Sequence, residues 1–531
     1  MFKLIRSACG FCVCLLALAS APATAKPPAG TDVITYKNDV SRTGQNLTES
    51  MLTLTNVASP TFGLLRQLPV DGKVDAQPLY LSALRVAGAH HNVVFVATEG
   101  DSVYALDADS GATLWHVSLL ESGETPSDPL GCSQVTPQIG VTSTPVIDRT
   151  AGAHGAIYLV AMSKDTSGNY YQRLHALDIT TGAELARSPA TIEAAYPTAE
   201  GGSTRFNPKQ YEERAALLLI NKTIFTTWTS HCDDRPYTGW IMAFSQATLA
   251  RSAVLNVGAN GHGSGPGIWM GGGGPAADTS GNVYLLTGNG PFEVNLNAEG
   301  FPLRQDYGNS FLKLATAGNK LTVADYFAMS NEVTESAADD DLGSSEGMLL
   351  PDLTDSGGVV RHLIVGAGKD GSIYVVNRDS MGKFSPDGNN IWQWLNDVVP
   401  NGVHSTPAYF ERTVYYGENS ASLKAFSVTD AMLSDAPISQ TATQYTYPGT
   451  APAVSANGTA NAIVWAYENT TPAVLHAYDA ADLSHELYNS NQAPGNRDQF
   501  GAGNKFMVPA IADGKVFVGT PSSVAVFGLL P

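Results

Sequence analysis

The chain has 531 residues, 43% of them hydrophobic and 15% charged, with 52 Gly and 30 Pro, a turn-rich globular composition that excludes a disordered chain. Thirty basic residues face 49 acidic ones, so the formal charge is −19, a balance that excludes nucleic acid and anionic lipid surfaces as partners.

At the N-terminus, Lys3 and Arg6 precede the apolar run "FCVCLLALAS", and "APATA" supplies small residues before Lys26. This pattern reads as a secretory signal over residues 1–25, leaving a soluble exported chain over 26–531, periplasmic or secreted. No other apolar run approaches the length of a transmembrane helix. Cys9, Cys12 and Cys14 leave with the signal, so Cys132 and Cys232 remain and favour one disulfide in an oxidising compartment. No C-x-x-C-H occurs, so the chain carries no covalent c-type haem.

From residue 76 onward one phrase recurs: a short strand with a small residue and Pro, then a strand pair broken by an Asp- or Gly-rich turn. The first pair is "VVFVATEGDSVYALDADSGATLW" and the last is "KVFVGTPSSVAVFGLL", with six others between them. The runs are rich in Val, Ile, Tyr and Phe and lack helical periodicity. Eight such units predict an all-β fold, an eight-bladed β-propeller in which each sheet buries its faces against its neighbours. The last pair lacks a fourth strand, and "FGLLRQLPV" near the N-terminus is expected to supply it.

Two motifs are set aside. "GAGKDG" is followed by a strand, whereas a dinucleotide fingerprint opens a helix. "GSSEG" lacks the α/β strand-to-helix setting of a nucleophile elbow, which leaves Ser345 without a catalytic role. The middle third carries long loops, where a repeat protein usually places its working face. Asp233, Asp234, Asn289, Asp306, Asp339, Asp340 and Asp341 collect there and suit a hard cation such as Ca²⁺, or simply make turns.

Five segments, "GWIMAF" preceded by Asp234, "IWMGGGG", "LLTGN", "DDDLGSS" and "GKDGSIYVVNR", resemble in order the active-site segments of the pyrroloquinoline quinone (PQQ) dependent alcohol dehydrogenases, eight-bladed quinoproteins. The resemblance implies that Trp269 carries the flat quinone and that Lys369, 28 residues after Asp341, contacts the quinone oxygens. It implies Asp341 as the catalytic base and Asp234, Asn289 and Asp341 as Ca²⁺ ligands, Asp234 standing where the family has a glutamate. Gly343 lacks the extra carboxylate of lanthanide-using relatives, which favours Ca²⁺. The family's adjacent-cysteine ring is absent, so Cys132 would pair with Cys232 across blades.

Three functions follow as expectations. One is a PQQ- and Ca²⁺-dependent dehydrogenase of alcohols or sugars that passes electrons to a separate cytochrome c. The second is a non-catalytic propeller presenting its surface to an envelope protein. The third is a carbohydrate- or ion-binding module without redox chemistry.

Overall fold

The computed structural model describes Met1 and residues 32–531, so the signal segment and the start near Lys26 lie outside the described residues. Eight antiparallel sheets follow one another around a ring, each one blade. Blade 1, from the inside outward, is Leu79–Val86, Ala89–Thr98, Ser102–Asp107 and Thr113–Ser118. Blade 4 is Ala276–Ala277, Val283–Leu286, Ser310–Ala317 and Lys320–Ala328, and blade 5 is Met348–Leu349, Leu363–Ala367, Ile373–Asn377 and Gln393–Leu395. Blade 8 is Ala510–Ala512, Lys515–Gly519, Ser523–Leu529 and then Phe62–Pro69, paired antiparallel from Phe62 opposite Leu529 to Pro69 opposite Ser523. That last pairing covers the edge of the final sheet and closes the ring.

The recurring aspartate is a turn-maker. Asp107 Oδ1 accepts the Ser110 amide at 2.6 Å and its hydroxyl at 2.8 Å, and Asp178 Oδ1 repeats the arrangement with Thr180 at 2.8 and 2.6 Å. Each turn reverses the chain between the third and fourth strands of its blade. Between blades, Trp115 Nε1 donates to the Ile179 carbonyl at 3.0 Å, and the Val, Ile and Phe side chains of facing sheets are buried against each other.

One short segment touches every blade. Residues 33–46, "VITYKNDVSRTGQN", run through the centre of the ring and exchange hydrogen bonds with the innermost strand, or its approach, in turn. Val33 pairs with Tyr80 of blade 1 at 2.8 and 2.9 Å, and the Ile34 carbonyl accepts the Ile147 amide of blade 2 at 2.8 Å. Arg42 Nη2 donates to Leu217 O of blade 3 at 3.1 Å, and its Nε donates to Pro275 O of blade 4 at 3.0 Å. The carbonyls of Val40, Ser41, Thr43 and Gly44 accept the amides of Ala277, Leu349, Tyr409 and Val454 in blades 4 to 7 at 2.7, 3.0, 2.8 and 2.8 Å. Asn46 Nδ2 donates to Ile511 O of blade 8 at 2.8 Å. Lys37 Nζ adds bonds to the carbonyls of Thr406, Pro407 and Pro452.

Arg42 is wholly buried and Lys37 nearly so. Burial pushes the Lys37 ammonium down to about 7, and it lifts Glu346, the acid that faces both cations, up to about 7. Glu346 Oε2 accepts the Gly274 amide at 2.8 Å, and a side chain at Gly274 would lie within 2.5 Å of the Ala216 carbonyl. The glycine run after Trp269 therefore serves close approach at the hub.

The connection from blade 4 to blade 5, one of the long loops of the middle third, is partly helical. Glu332–Ala338 form a short helix, with Glu332 and Glu335 in its first turn, and it ends where Asp339 adopts a left-handed φ of 67°.

Removing the hub's central donor leaves several buried carbonyls unpaired. Arg42→Ala should lower the unfolding free energy by about 3–5 kcal/mol in urea titrations, and an unchanged midpoint would contradict the hub's role.

Candidate active site

In each blade, the connections from second to third strand and from one blade to the next emerge on one face of the ring, and the others emerge on the opposite face. Asn289 and Lys369 follow second strands, at Leu286 and Ala367, while Trp269 and Asp341 lie on blade-to-blade connections. Cys232 and Asp233 follow the second strand of blade 3, Thr223–Ser230, on the same face. These loops surround a cleft of 340 Å³, within the usual range of roughly 300–1,000 Å³ for small-molecule sites.

Trp269, Asp341, Lys369 and Cys232 line this cleft with Arg214, His404, Tyr447 and Phe506. Asp341 is buried, and its two oxygens have different partners: Oδ1 accepts the Asn289 amide at 2.6 Å, and Oδ2 meets Lys369 Nζ at 2.5 Å. Lys369 also donates to Asp339 at 2.9 Å (carbonyl) and 3.1 Å (carboxylate). Burial pushes the Asp341 carboxyl up, against the pull of Lys369 and the Asn289 N–H. Burial alone would lower the Lys369 ammonium, but Asp341 and Asp339 outweigh it and hold it at about 12, so it stays charged. Gly288, the glycine of "TGN", makes room for this pair: a Cβ there would lie 2.4 Å from Asp341 Oδ1 and 2.8 Å from the Trp269 ring.

The Trp269 indole is partly exposed, stands edge-on to Tyr237 with centroids 6.2 Å apart, and has a buried N–H without an acceptor. Cys132 and Cys232 form the disulfide, with Cα atoms 5.5 Å apart across 100 residues of sequence, tying the connection between blades 1 and 2 to the rim of the cleft.

Asp234 does not line the cleft. Cys232 and Asp233 both adopt left-handed φ, at 48° and 56°, and the Asp234 amide closes the turn onto the His231 carbonyl at 3.0 Å. That turn leaves Asp234 exposed outside the cleft and brings in Asp233, whose Oδ1 accepts the Tyr237 hydroxyl at 2.7 Å. Asn289 commits its Nδ2 to Asp339 at 2.5 Å, and Asp306 anchors the Asn260 amide at 3.0 Å instead of facing the cleft. Among the described residues, no group of three or more His, Cys, Asp or Glu side chains is placed to hold a metal ion, and Asp234 does not line the cleft that Asp341 lines. Ser345 donates to the Ala367 carbonyl at 2.5 Å in a fully buried position, a structural role.

Sequence reasoning missed three groups. Arg214 borders both the cleft and a small adjoining recess, which Lys73 and Lys505 also line. Lys505 has no carboxylate within ion-pair distance among the described residues, and burial, Lys73 and Arg214 lower its ammonium. His404, hidden in the strand-like phrase "HSTPAYF", lines the cleft with its Nδ1 buried and unpaired. Burial, then Lys369, lowers its pKa from 6.5 to about 4. A depressed imidazole stabilises the fold while neutral: its contribution is complete above 6.5 and is lost as pH falls toward 4. His404→Asn should therefore flatten the loss of unfolding free energy over that interval, and parallel pH profiles for parent and variant would contradict the assignment.

A family model described as outer membrane protein assembly factor BamB (PQQ_2) matches residues 40–261. Among solved structures, quinohemoprotein alcohol dehydrogenase from Comamonas testosteroni superposes with a TM-score of 0.62 at 14% identity, over 94% of this chain and 80% of that one. The quinohemoprotein alcohol dehydrogenase from Pseudomonas putida HK5 gives 0.61 at 13% identity over the same shares. A europium-containing methanol dehydrogenase gives 0.57 at 14% identity, over 94% of this chain and 99% of that one. No curated protein matches in sequence. No helix among the described residues is long and apolar enough to cross a membrane. With eight blades and these neighbours, the chain is an eight-bladed β-propeller that resembles the quinoprotein alcohol dehydrogenases in fold, with a PQQ-repeat match over residues 40–261.

Proposed function

We propose that this protein is an exported quinoprotein dehydrogenase, one propeller over residues 26–531 behind a signal at 1–25, that binds PQQ and oxidises an alcohol or sugar hydroxyl in the periplasm or outside the cell. The observation that carries this reading is the pair of buried Asp341 and half-buried Lys369 beside the partly exposed Trp269 indole in one cleft. The residues suit PQQ: a flat conjugated ring matches an indole face, and its carboxylates match Arg214 and Lys505, whose ammonium stands over the Tyr447 ring without an ion-pair carboxylate among the described residues. PQQ, when bound, supplies the two-electron acceptor.

The chain's own groups do the rest. Asp341 Oδ2 takes the proton of the substrate hydroxyl, and its raised pKa brings it nearer to the value a general base needs. Lys369 Nζ stays charged and supplies the positive potential that the family assigns to it together with a cation. Calcium, expected alongside PQQ, has no group of three His, Cys, Asp or Glu side chains placed to hold it among the described residues. Electrons leave to a separate cytochrome c.

A second reading is favoured by the repeat match over residues 40–261, whose description is that of an assembly factor: a scaffold that holds an envelope protein without redox chemistry.

Purified protein mixed with PQQ should show a bound-quinone absorbance and reduce an artificial dye with members of an alcohol and sugar panel. Asp341→Asn should retain the bound absorbance and lose at least about 100-fold in turnover. Silence across the panel, together with a stoichiometric envelope partner captured without cofactor, would overturn the dehydrogenase and support the scaffold.

A further inference from the structure

The face opposite the cleft holds a second pocket, of 420 Å³, between blades 4 and 5. Its walls come from the opposite set of connections: the 278–282 turn between the first two strands of blade 4, and the 378–379 turn after the third strand of blade 5. Ser41 of the hub borders it from the centre.

Arg378 is 8% exposed and lines this pocket, yet its Nε is buried without an acceptor. The charge nearest to it is Asp278 Oδ2, 3.9 Å from Nη1, too far for a hydrogen bond. Asp278 is already occupied: it accepts the amides of Ser280 and Asn282 at 2.9 Å each, Asn282 Nδ2 at 2.8 Å and the Tyr284 hydroxyl at 2.9 Å. Lys313 adds a second cation, which donates to the Arg378 carbonyl at 2.9 Å and, like the Arg378 guanidinium, stands over the Tyr284 ring, at 5.9 and 5.8 Å from its centroid. The two rim acids face His362 instead, Asp379 at 2.9 Å and Asp352 at 3.7 Å. A guanidinium withdrawn from water with an unmatched donor is costly unless an acceptor arrives from outside the chain.

The remaining surface defines the carrier of that acceptor. The hydroxyls of Ser41, Thr279 and Ser280 line the pocket and have no hydrogen-bond partner among the described residues, and Pro351 offers an exposed apolar edge. Hydroxyl groups beside a small apolar patch and a guanidinium suit a polyol that bears an oxyanion.

We propose that this far-face pocket binds an acidic sugar, with its carboxylate or phosphate on Arg378 and Lys313 and its hydroxyls on the serine and threonine side chains. The site is separate from the cleft and holds whichever function the cleft performs.

Calorimetric titration of the purified protein at constant ionic strength, with glucuronate, glucose 6-phosphate and glucose, tests this. At least one acidic sugar should bind saturably, glucose should not, and Arg378→Gln should weaken the acid at least tenfold; which acid binds more tightly distinguishes carboxylate from phosphate. Because Arg378 lies on the opposite face, that loss cannot arise in the cleft. If circular dichroism shows that Arg378→Gln is misfolded, Lys313→Met provides the same comparison. Heats for both acids indistinguishable from glucose, or a folded variant that binds as the parent does, would overturn the proposal.

Discussion

The hub formed by residues 33–46 is the constraint on which the rest of this propeller depends. A ring of sheets has weak means of fixing its diameter, since each blade packs only on its two neighbours. Here one extended segment supplies backbone carbonyls, one guanidinium, one ammonium and the Asn46 side-chain amide, and between them they reach inner-strand groups of all eight blades. Arg42 and Lys37 can remain in that dry axis because main-chain oxygens surround them and the Glu346 and Asp39 carboxyls oppose their charge. The inner strands are thereby held at set distances, and the loops that spring from them meet at one mouth.

The same logic of charge held in a dry place reappears at the cleft. Asp341 and Lys369 come from the connection into blade 5 and from its second strand, and each would be costly to bury alone. Together, with the Asn289 amide as a third party, they form a compact charged unit that a glycine at 288 leaves room for. The cleft thus combines a basic carboxylate, a permanent cation and an indole plane. The far-face pocket is the contrasting case, where a buried guanidinium lacks its matching acceptor.

Much of this was legible in the sequence because turns and strands are local. Asp107 and Asp178 declare their turns within three residues, and the recurrence of that phrase yields the blade count. Trp269, Asn289, Asp341 and Lys369 converge because strand parity sends their loops to one face, a consequence of counting strands. The position of Asp234 depends on local geometry that residue type does not reveal: two consecutive left-handed residues, Cys232 and Asp233, turn the chain so that Asp233 lines the cleft and Asp234 does not. His404 was obscured because it precedes a strand whose pattern accounted for it fully. The hub was invisible for the opposite reason. "TYKNDVSRTGQN" has no period, and its partners lie up to 465 residues away, so nothing nearby marks Lys37 or Arg42 as interior.

The most direct test of the hub is amide hydrogen exchange at Ala277, Leu349, Tyr409 and Val454, four residues in four different blades whose N–H groups all donate to the segment 40–44. If one segment sets the inner ring, these amides exchange only through global unfolding and share a single protection free energy that equals the stability of the whole protein. Four different, lower values would mean that the blades open independently and that the hub does not hold them.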